Sequence, residues 1–204
     1  MRASEMALTQ LRWLRAAHCL DLVDREQLRS QIVSVQTLPA HPPGNPPIHD
    51  WKDVRGLFFT PCYPALQDTY YSVAALEIPG GLDRMDREAG IEGILKRHQG
   101  KGHFTPPSSG NYNEHHIDGS ARDTFAAFES LRILGALDRV KDLDQWQFRV
   151  ASHLSSKPNA DGVRILTWDE IEAWVCQQRL AEILRERKEN PQAPAGSLLQ
   201  PGRD

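Results

Sequence analysis

Gln67–Glu88, QDTYYSVAALEIPGGLDRMDRE, and Arg122–Leu143, RDTFAAFESLRILGALDRVKDL, are two copies of one pattern. A shift of 55 positions, from Asp68 to Asp123, aligns the two stretches without a gap. The residues that are then identical include a shared Asp-Thr, a Gly and a Leu-Asp-Arg triplet. A pattern that recurs at a fixed period is typical of structural units that stack and bury faces which none could bury alone. The sequence therefore predicts a repeat protein.

Each copy of the pattern predicts two helices joined by a tight turn. An Asp in front of a Thr and an apolar run is typical of a helix N-cap, so Asp68 and Asp123 are predicted to cap the first helix of each unit. Gly80 and Gly135 are predicted to end that helix, since glycine is the preferred residue just past a helix C-terminus. A more diverged first copy is indicated because LVDRE, at 22–26, resembles RMDRE, at 84–88.

Helical periodicity extends this pattern over most of the chain. The fold class is predicted to be all-α, with paired antiparallel helices in a partial toroid, an open crescent of about three helix pairs plus one helix. The predicted helical segments are 8–20, 23–36, 68–78, 85–99, 123–134, 143–154 and 167–188. Residues 1–188 are predicted to form one helical-repeat domain, and the Pro- and Gly-containing stretch 189–204 is predicted to be a disordered tail.

Composition excludes several classes of function. A formal net charge of −3 and an isoelectric point near 6.2 argue against a nucleic-acid partner, which requires an extended basic surface. No run approaches the roughly 18 apolar residues of a membrane span, and no targeting segment is indicated. The three cysteines have no CxxC spacing, and their odd number is a poor basis for a disulfide framework. A reduced, cytoplasmic setting is expected.

The pattern resembles the prenyltransferase and squalene oxidase repeat, which combines D-T-Y-Y-x-x-x-x-L, L-D-x-x-D-R-E and Q-x-x-G-x-F. The matching residues are Asp68-Thr69-Tyr70-Tyr71 with Leu76, Leu82-Asp83 with Asp86-Arg87-Glu88, and Gln99 with Gly102 and Phe104. The family folds as an α/α toroid around an apolar cavity, and it includes protein prenyltransferase β subunits and triterpene cyclases. The resemblance implies the same architecture here. A closed ring needs about six helix pairs, so this chain is expected to leave it open.

The resemblance also shows where catalytic groups would fall. The Asp, Cys and His that bind zinc in protein prenyltransferases would correspond to Asp68, Tyr70 and Ala126. A tyrosine, whose ordinary pKa is about 10, cannot replace the thiolate, and an alanine cannot replace the imidazole. No metal and no cofactor are therefore expected. The D-x-D-D acid motif of the cyclases does not occur in the sequence. Basic residues that could bind a diphosphate are only diffusely placed, at Arg84, Arg87, Lys96, Arg97 and Lys101.

The candidate ligand-cavity residues lie near the starts of the two repeated helices. They are Asp68, Tyr70, Tyr71, Asp123, Phe125 and Phe128. Aromatic side chains at these positions either line an apolar cavity or pack in the core, and both interpretations stay open. Two other clusters are weaker candidates. His103, His115, His116 and Asp118 form a possible metal site or a solvated loop, and Cys62 with His49 and Asp68 forms a possible thiol site without supporting spacing.

Three functions of different class remain. The first is a non-catalytic helical-repeat protein that binds an apolar small molecule or a protein partner on its concave face. The second is an isoprenoid transferase or terpene cyclase that is active only as an oligomer. The third is a structural or regulatory accessory protein. A homo-oligomer is a further expectation, because an unclosed row of helices exposes an apolar face at each end.

Overall fold

The computed structural model of the chain describes residues 3–38, 54–58, 65–104, 117–142, 145 and 168–189. In this part of the chain the protein is all-α, with six α-helices and no β-strand, as predicted. The helices are α1 (Ala3–Ala16), α2 (Arg25–Val33), α3 (Ala65–Glu77), α4 (Arg87–Leu95), α5 (Ile117–Ile133) and α6 (Trp168–Glu189). Apart from Gln145, the predicted helix at 143–154 lies outside the described residues, as does the tail from 190 onward, whereas Glu189 is the last residue of α6.

Four of the helices pack side by side in chain order. Helix α1 contacts α3, α3 contacts α5, and α5 contacts α6, while α2 packs on α3 and α4 on α5. We call α1 and α2 with residues 54–58 the first unit, α3 and α4 up to residue 104 the second unit, and α5 with residues up to 142 the third unit. Among the described helices, none has both the length and the apolar content that crossing a bilayer requires.

The end of the first helix in each unit has the same backbone conformation. His18, Gly80 and Gly135 all have positive φ, at 55°, 71° and 67°. The residue after each one donates its N–H back into the helix, as Gly81 does to Leu76 O at 2.8 Å and Ala136 does to Leu131 O at 2.8 Å. These bonds satisfy carbonyls that a helix end leaves without partners. The predicted glycine C-caps are therefore confirmed, and a histidine occupies the same position in the first unit.

The predicted N-caps at Asp68 and Asp123 are wrong. Helix α3 begins at Ala65 and α5 begins at Ile117, so both aspartates lie inside helices, where they are only 1% and 2% exposed. Helix α3 begins three residues before its Asp, and α5 begins six residues before its Asp. The described acidic N-caps belong to the second helices instead. Asp24 accepts from the backbone N–H of Gln27, and Asp86 accepts from that of Ala89, both at 3.0 Å.

A short antiparallel contact closes the first and second units. Gln36 bridges to Phe58, and His98 bridges to Phe104. A glycine with positive φ precedes each Phe by two residues, which accounts for the Gly-x-Phe part of the motif. The buried aromatic ring at the end of each unit then enters the core, where Phe58 and Phe104 are fully buried. The core continues through the row of helices, with Leu8, Leu76, Leu131 and Leu180 almost inaccessible to solvent.

Candidate functional site

Three of the predicted site residues form one aromatic cluster across α3 and α5. The ring centroid of Tyr70 lies 5.3 Å from that of Tyr71 and 5.3 Å from that of Phe125, with an edge-to-face geometry toward Phe125. All three side chains are partly exposed, although they pack against the core. Edge-to-face contacts hold aromatic rings in fixed orientations. We call Tyr70, Tyr71 and Phe125 the aromatic surface.

An arginine from the neighbouring helix completes the aromatic surface. Arg12 of α1 donates from Nη2 to the hydroxyl oxygen of Tyr70 at 3.1 Å. Burial raises the pKa of Tyr70, against the opposing influence of Arg12. The phenol therefore keeps its proton at neutral pH, and its O–H can act as a donor toward an acceptor on a ligand. The exposed guanidinium of Arg12 has further N–H groups beside the rings, so the surface is apolar with one polar edge.

Phe128 does not belong to this surface. Its side chain has 0% exposure, and its ring lies 5.9 Å from that of Phe104 in an edge-to-face contact. It is therefore a core residue, in agreement with the packing alternative for this position. Phe125 and Phe128 are three residues apart, about 60° around the axis of α5, so the helical period alone does not separate them. Their neighbours do, because Phe128 packs against the buried Phe104 and Phe125 packs against the partly exposed Tyr70.

Asp68 and Asp123 are also buried and do not line the aromatic surface directly. The carboxylate of Asp123 accepts a hydrogen bond from Nε2 of Gln67 at 3.2 Å, so it faces α3. A buried carboxylate requires such donors, since an unpaired charge in the interior is costly. Asp123 acts in helix packing between the second and third units.

A buried ionic network escaped the sequence prediction. Arg132 donates to Glu129 at 2.8 Å, with both side chains about 5% exposed, and Nε of Arg179 on α6 lies 3.4 Å from Glu129. Arg179 also contacts Glu182 at 2.8 Å. In the sequence the network is visible only as a Glu and an Arg three residues apart within an apolar stretch. Such a pair usually lies on the solvent-exposed side of a helix, so it does not indicate a buried network.

The network extends toward the aromatic surface. Glu129 follows Phe125 by four residues in α5 and therefore lies one turn further along the same side of that helix. Burial is the main cause of the raised pKa of Tyr70, and Glu129 adds to it while Arg132 opposes it. Partial burial acts to lower the pKa of Arg179, but Glu182 and Glu129 outweigh it and the pKa is raised. Polar contacts thus link α1 with α3 and α5 with α6. Arg12 bonds to Tyr70, and a chain of ion pairs joins Arg132, Glu129, Arg179 and Glu182.

Two of the basic residues considered for diphosphate binding are engaged in contacts between units. Arg84 pairs with Glu26 of the first unit. Arg87 donates to the carbonyl oxygen of Leu134 at 2.9 Å. Both side chains therefore link adjacent units, and neither is directed at the aromatic surface by these contacts.

Metal ligands are not assembled in the part of the chain that the structure describes, where no three His, Cys, Asp or Glu side chains come together. Ala126, where the resemblance would place a zinc-binding histidine, is buried in α5. His115, His116, His49 and Cys62 lie outside the described residues. Comparisons with protein-family models, with curated proteins and with solved structures each returned no match. The resemblance to the prenyltransferase and squalene oxidase repeat stays a prediction.

Proposed function

We propose that this protein is a non-catalytic, prenyltransferase-like helical-repeat protein that binds an apolar ligand through the aromatic surface. The observation that carries the proposal is the clustering of Tyr70, Tyr71 and Phe125 as partly exposed rings beside Arg12. Rings on an otherwise buried helix pair offer contact area at little entropic cost, because their packing already fixes them. In the proposed open crescent these rings lie on the concave side.

The residue types favour binding over chemistry. A neutral phenol and a guanidinium can orient a ligand, but neither is a nucleophile or a strong acid at neutral pH. The two positions that carry the zinc-binding Cys and His in the protein prenyltransferases hold Tyr70 and Ala126. A ligand with an apolar body and one oxygen acceptor suits the surface, with the body on the rings and the acceptor facing Tyr70 and Arg12.

An isoprenoid transferase or cyclase that is active only as an oligomer is the second candidate. The ionic network favours it, since Arg132 and Arg179 are positive groups that both pair with Glu129, one helical turn beyond Phe125. However, Glu129 and Glu182 already pair with both arginines. Recognition of a diphosphate would require those pairs to open. A protein partner in place of the small molecule, or an accessory role without a ligand, is the alternative for the same surface.

The proposal is tested by isothermal titration with farnesol, farnesyl diphosphate and a straight-chain alcohol of similar length. We expect the alcohols to bind and Tyr70→Ala or Phe125→Ala to weaken their binding by tenfold or more, because each removes a ring worth about 1–2 kcal/mol of contact. Leu22→Ala, an exposed apolar residue elsewhere, is the matched control and should bind normally.

Other results would point away from an apolar ligand. No binding of any of the three compounds would remove the small-molecule proposal and favour a partner protein or an accessory role. A strong preference for the diphosphate, with release of diphosphate over time, would show a transferase or cyclase instead.

A further inference from the structure

Exposed large hydrophobic side chains occur at the two ends of the described helix row and not between them. Four belong to the first unit and two to α6, and residues 65–142 contribute none among those described. They are Met6, Trp13, Leu22, Val35, Trp174 and Val175. Trp13 is 73% exposed and Leu22 is 77% exposed. In a repeat array the end faces are the surfaces that no neighbouring unit covers.

The repeat identifies which face of α1 is exposed. When His18 is aligned with Gly135, Met6 falls on Asp123 and Trp13 falls on Ser130. Asp123 faces the preceding helix, because it accepts from Gln67 of α3, and Ser130 lies seven residues further on the same side of α5. Met6 and Trp13 therefore occupy the side of α1 on which a preceding helix would pack. Leu8 and Leu11, on the other side, are buried.

Leu22 gives an independent indication of the same face. It stands at the position of Arg84 and Arg139, and these pair with Glu26 and Glu88 of the preceding units. Where a preceding unit exists, this position carries an arginine that reaches it. In the first unit the position carries an exposed leucine, which suits an apolar partner surface rather than a solvated end.

Helix α6 presents the opposite end of the row. Two contacts with the third unit show the direction of α6. Arg179 lies beside Glu129, and eight residues later Arg187 donates to the carbonyl oxygen of Leu137, so the residue numbers rise together. Helix α6 is therefore parallel to α5. Leu180 and Ile183 are buried, and the exposed side carries Trp174, Ala181 and Arg185 at helical spacing.

We propose that these two faces bind each other between copies of the chain, with α6 of one copy packing beside α1 of the next. In the parallel register that places Trp174 level with Met6, Ala181 comes level with Trp13, seven residues further along both helices. Trp13 then lies opposite the small side chain of Ala181, and Trp174 lies opposite Met6. The basic Arg185 and Lys188 come toward the end where the acidic Asp21 lies.

A head-to-tail contact accounts for both exposed ends at once. The units inside the chain are joined in the same way, since each unit packs on the one before it. Between copies, α6 at the end of one row takes the place of the preceding helix beside α1 at the start of the next row. A symmetric contact of α1 with α1 of another copy would cover Trp13 but leave Trp174 in water. Heterologous contacts of this kind form rings when the rotation closes and filaments when it does not.

Sedimentation velocity over a wide concentration range tests the interface in the full chain. We expect the natural sequence to self-associate and Trp13→Glu and Trp174→Glu each to weaken association by tenfold or more. Both side chains are exposed, so thermal melting of each variant should match that of the natural sequence. Gln31→Glu, which adds the same charge at an exposed polar position of α2, should associate normally.

Mixing the two tryptophan variants decides the geometry. The Trp13→Glu copy keeps an intact α6 face, and the Trp174→Glu copy keeps an intact α1 face, so an equimolar mixture should form one-to-one dimers and nothing larger. A natural sequence that stays monomeric throughout overturns the proposal. So does a result in which Trp13→Glu abolishes association while Trp174→Glu has no effect, because that outcome belongs to a symmetric α1 contact. Ligand binding at the aromatic surface is measured separately and does not depend on this outcome.

Discussion

The junction between the first and second units and the junction between the second and third units are built alike. In the first junction the hydroxyl of Thr69 accepts from the N–H of Phe58 at 3.0 Å, and in the second the hydroxyl of Thr124 accepts from the N–H of Phe104 at 3.1 Å. Both threonines are fully buried. A buried N–H without a partner is costly, so each threonine serves the hairpin that closes the preceding unit.

Other contacts keep their position in the junction but change the side chain. Gln36 bonds to both the N–H and the carbonyl of Asp86, whereas His98, its equivalent, lies 2.7 Å from the carboxylate of Asp142. Arg29 and Arg87 likewise reach equivalent carbonyl oxygens, of Pro79 and Leu134, although Arg29 lies one helical turn later in its helix. The repeat thus preserves the arginine contact to one backbone carbonyl, although the arginine comes from a different turn, whereas Gln36 binds backbone groups and His98 pairs with a carboxylate.

The largest loss of folding stability that we expect comes from replacing a glycine with positive φ in the first junction. A Cβ added to Gly56 would lie 1.9 Å from the carbonyl oxygen of Ala89, and φ is 85° there. The loop before Phe58 therefore rests directly on α4. We expect Gly56→Ala to destabilise the protein by more than about 3 kcal/mol, since backbone strain and a backbone clash combine.

Gly80→Ala is the matched control for that substitution. Its φ is 71°, but the nearest atom to an added Cβ is 3.7 Å away on Arg29. Gly80→Ala should therefore lose only the about 1 kcal/mol of stability that the left-handed conformation costs an alanine. Urea unfolding of both variants measures the difference. Equal losses would mean that the first junction has no close approach at Gly56.

The equivalence of the two junctions predicts equal effects for Thr69→Val and Thr124→Val. Valine keeps the volume of the side chain but removes the acceptor for the Phe N–H, and the loss should be about 1–3 kcal/mol in each case. Thr69→Ser and Thr124→Ser keep the hydroxyl and should retain more of the stability. Chemical denaturation of the four variants provides the test. Two valine variants that differ by more than about 1 kcal/mol would show that the junctions are not equivalent.

Features of the fold that depend only on neighbouring residues in the chain were predictable from the sequence. Gly80 and Gly135 were assigned correctly as C-caps because a left-handed residue at a helix end favours glycine, and this preference is visible within a few residues. Asp68 and Asp123 were misassigned, because an acidic residue in front of Thr suits both a cap and a buried interhelical contact. Only the packing of α3 against α5 separates the two roles.

The candidate site was predictable to a similar extent. Tyr70, Tyr71 and Phe125 were identified as aromatic residues at repeated positions, but periodicity could not tell that Phe125 stays partly exposed while Phe128 is buried. Arg12 and Glu129 were not predicted, since each acquires its role from a partner about 50 or more residues away. Such contacts follow from the order in which the helices stack, and no local pattern encodes them.

The smallest effect that we expect concerns His18, which stands where the later units have glycine. Its φ of 55° is close to the 71° of Gly80 and the 67° of Gly135, and its N–H bonds to Arg15 O at 3.1 Å as theirs do to equivalent carbonyls. A non-glycine residue in this conformation is strained, although histidine tolerates it better than most. His18→Gly should relieve the strain, and part of the gain is offset by the greater freedom of glycine in the unfolded chain. The net effect should be a stabilisation of about 0.5 kcal/mol, measured as a small rise in the denaturation midpoint without a change in slope. His18→Val, a β-branched residue that avoids positive φ, should shift the midpoint in the opposite direction. If the glycine variant were the less stable of the two, the end of α1 would not share the conformation that ends α3 and α5.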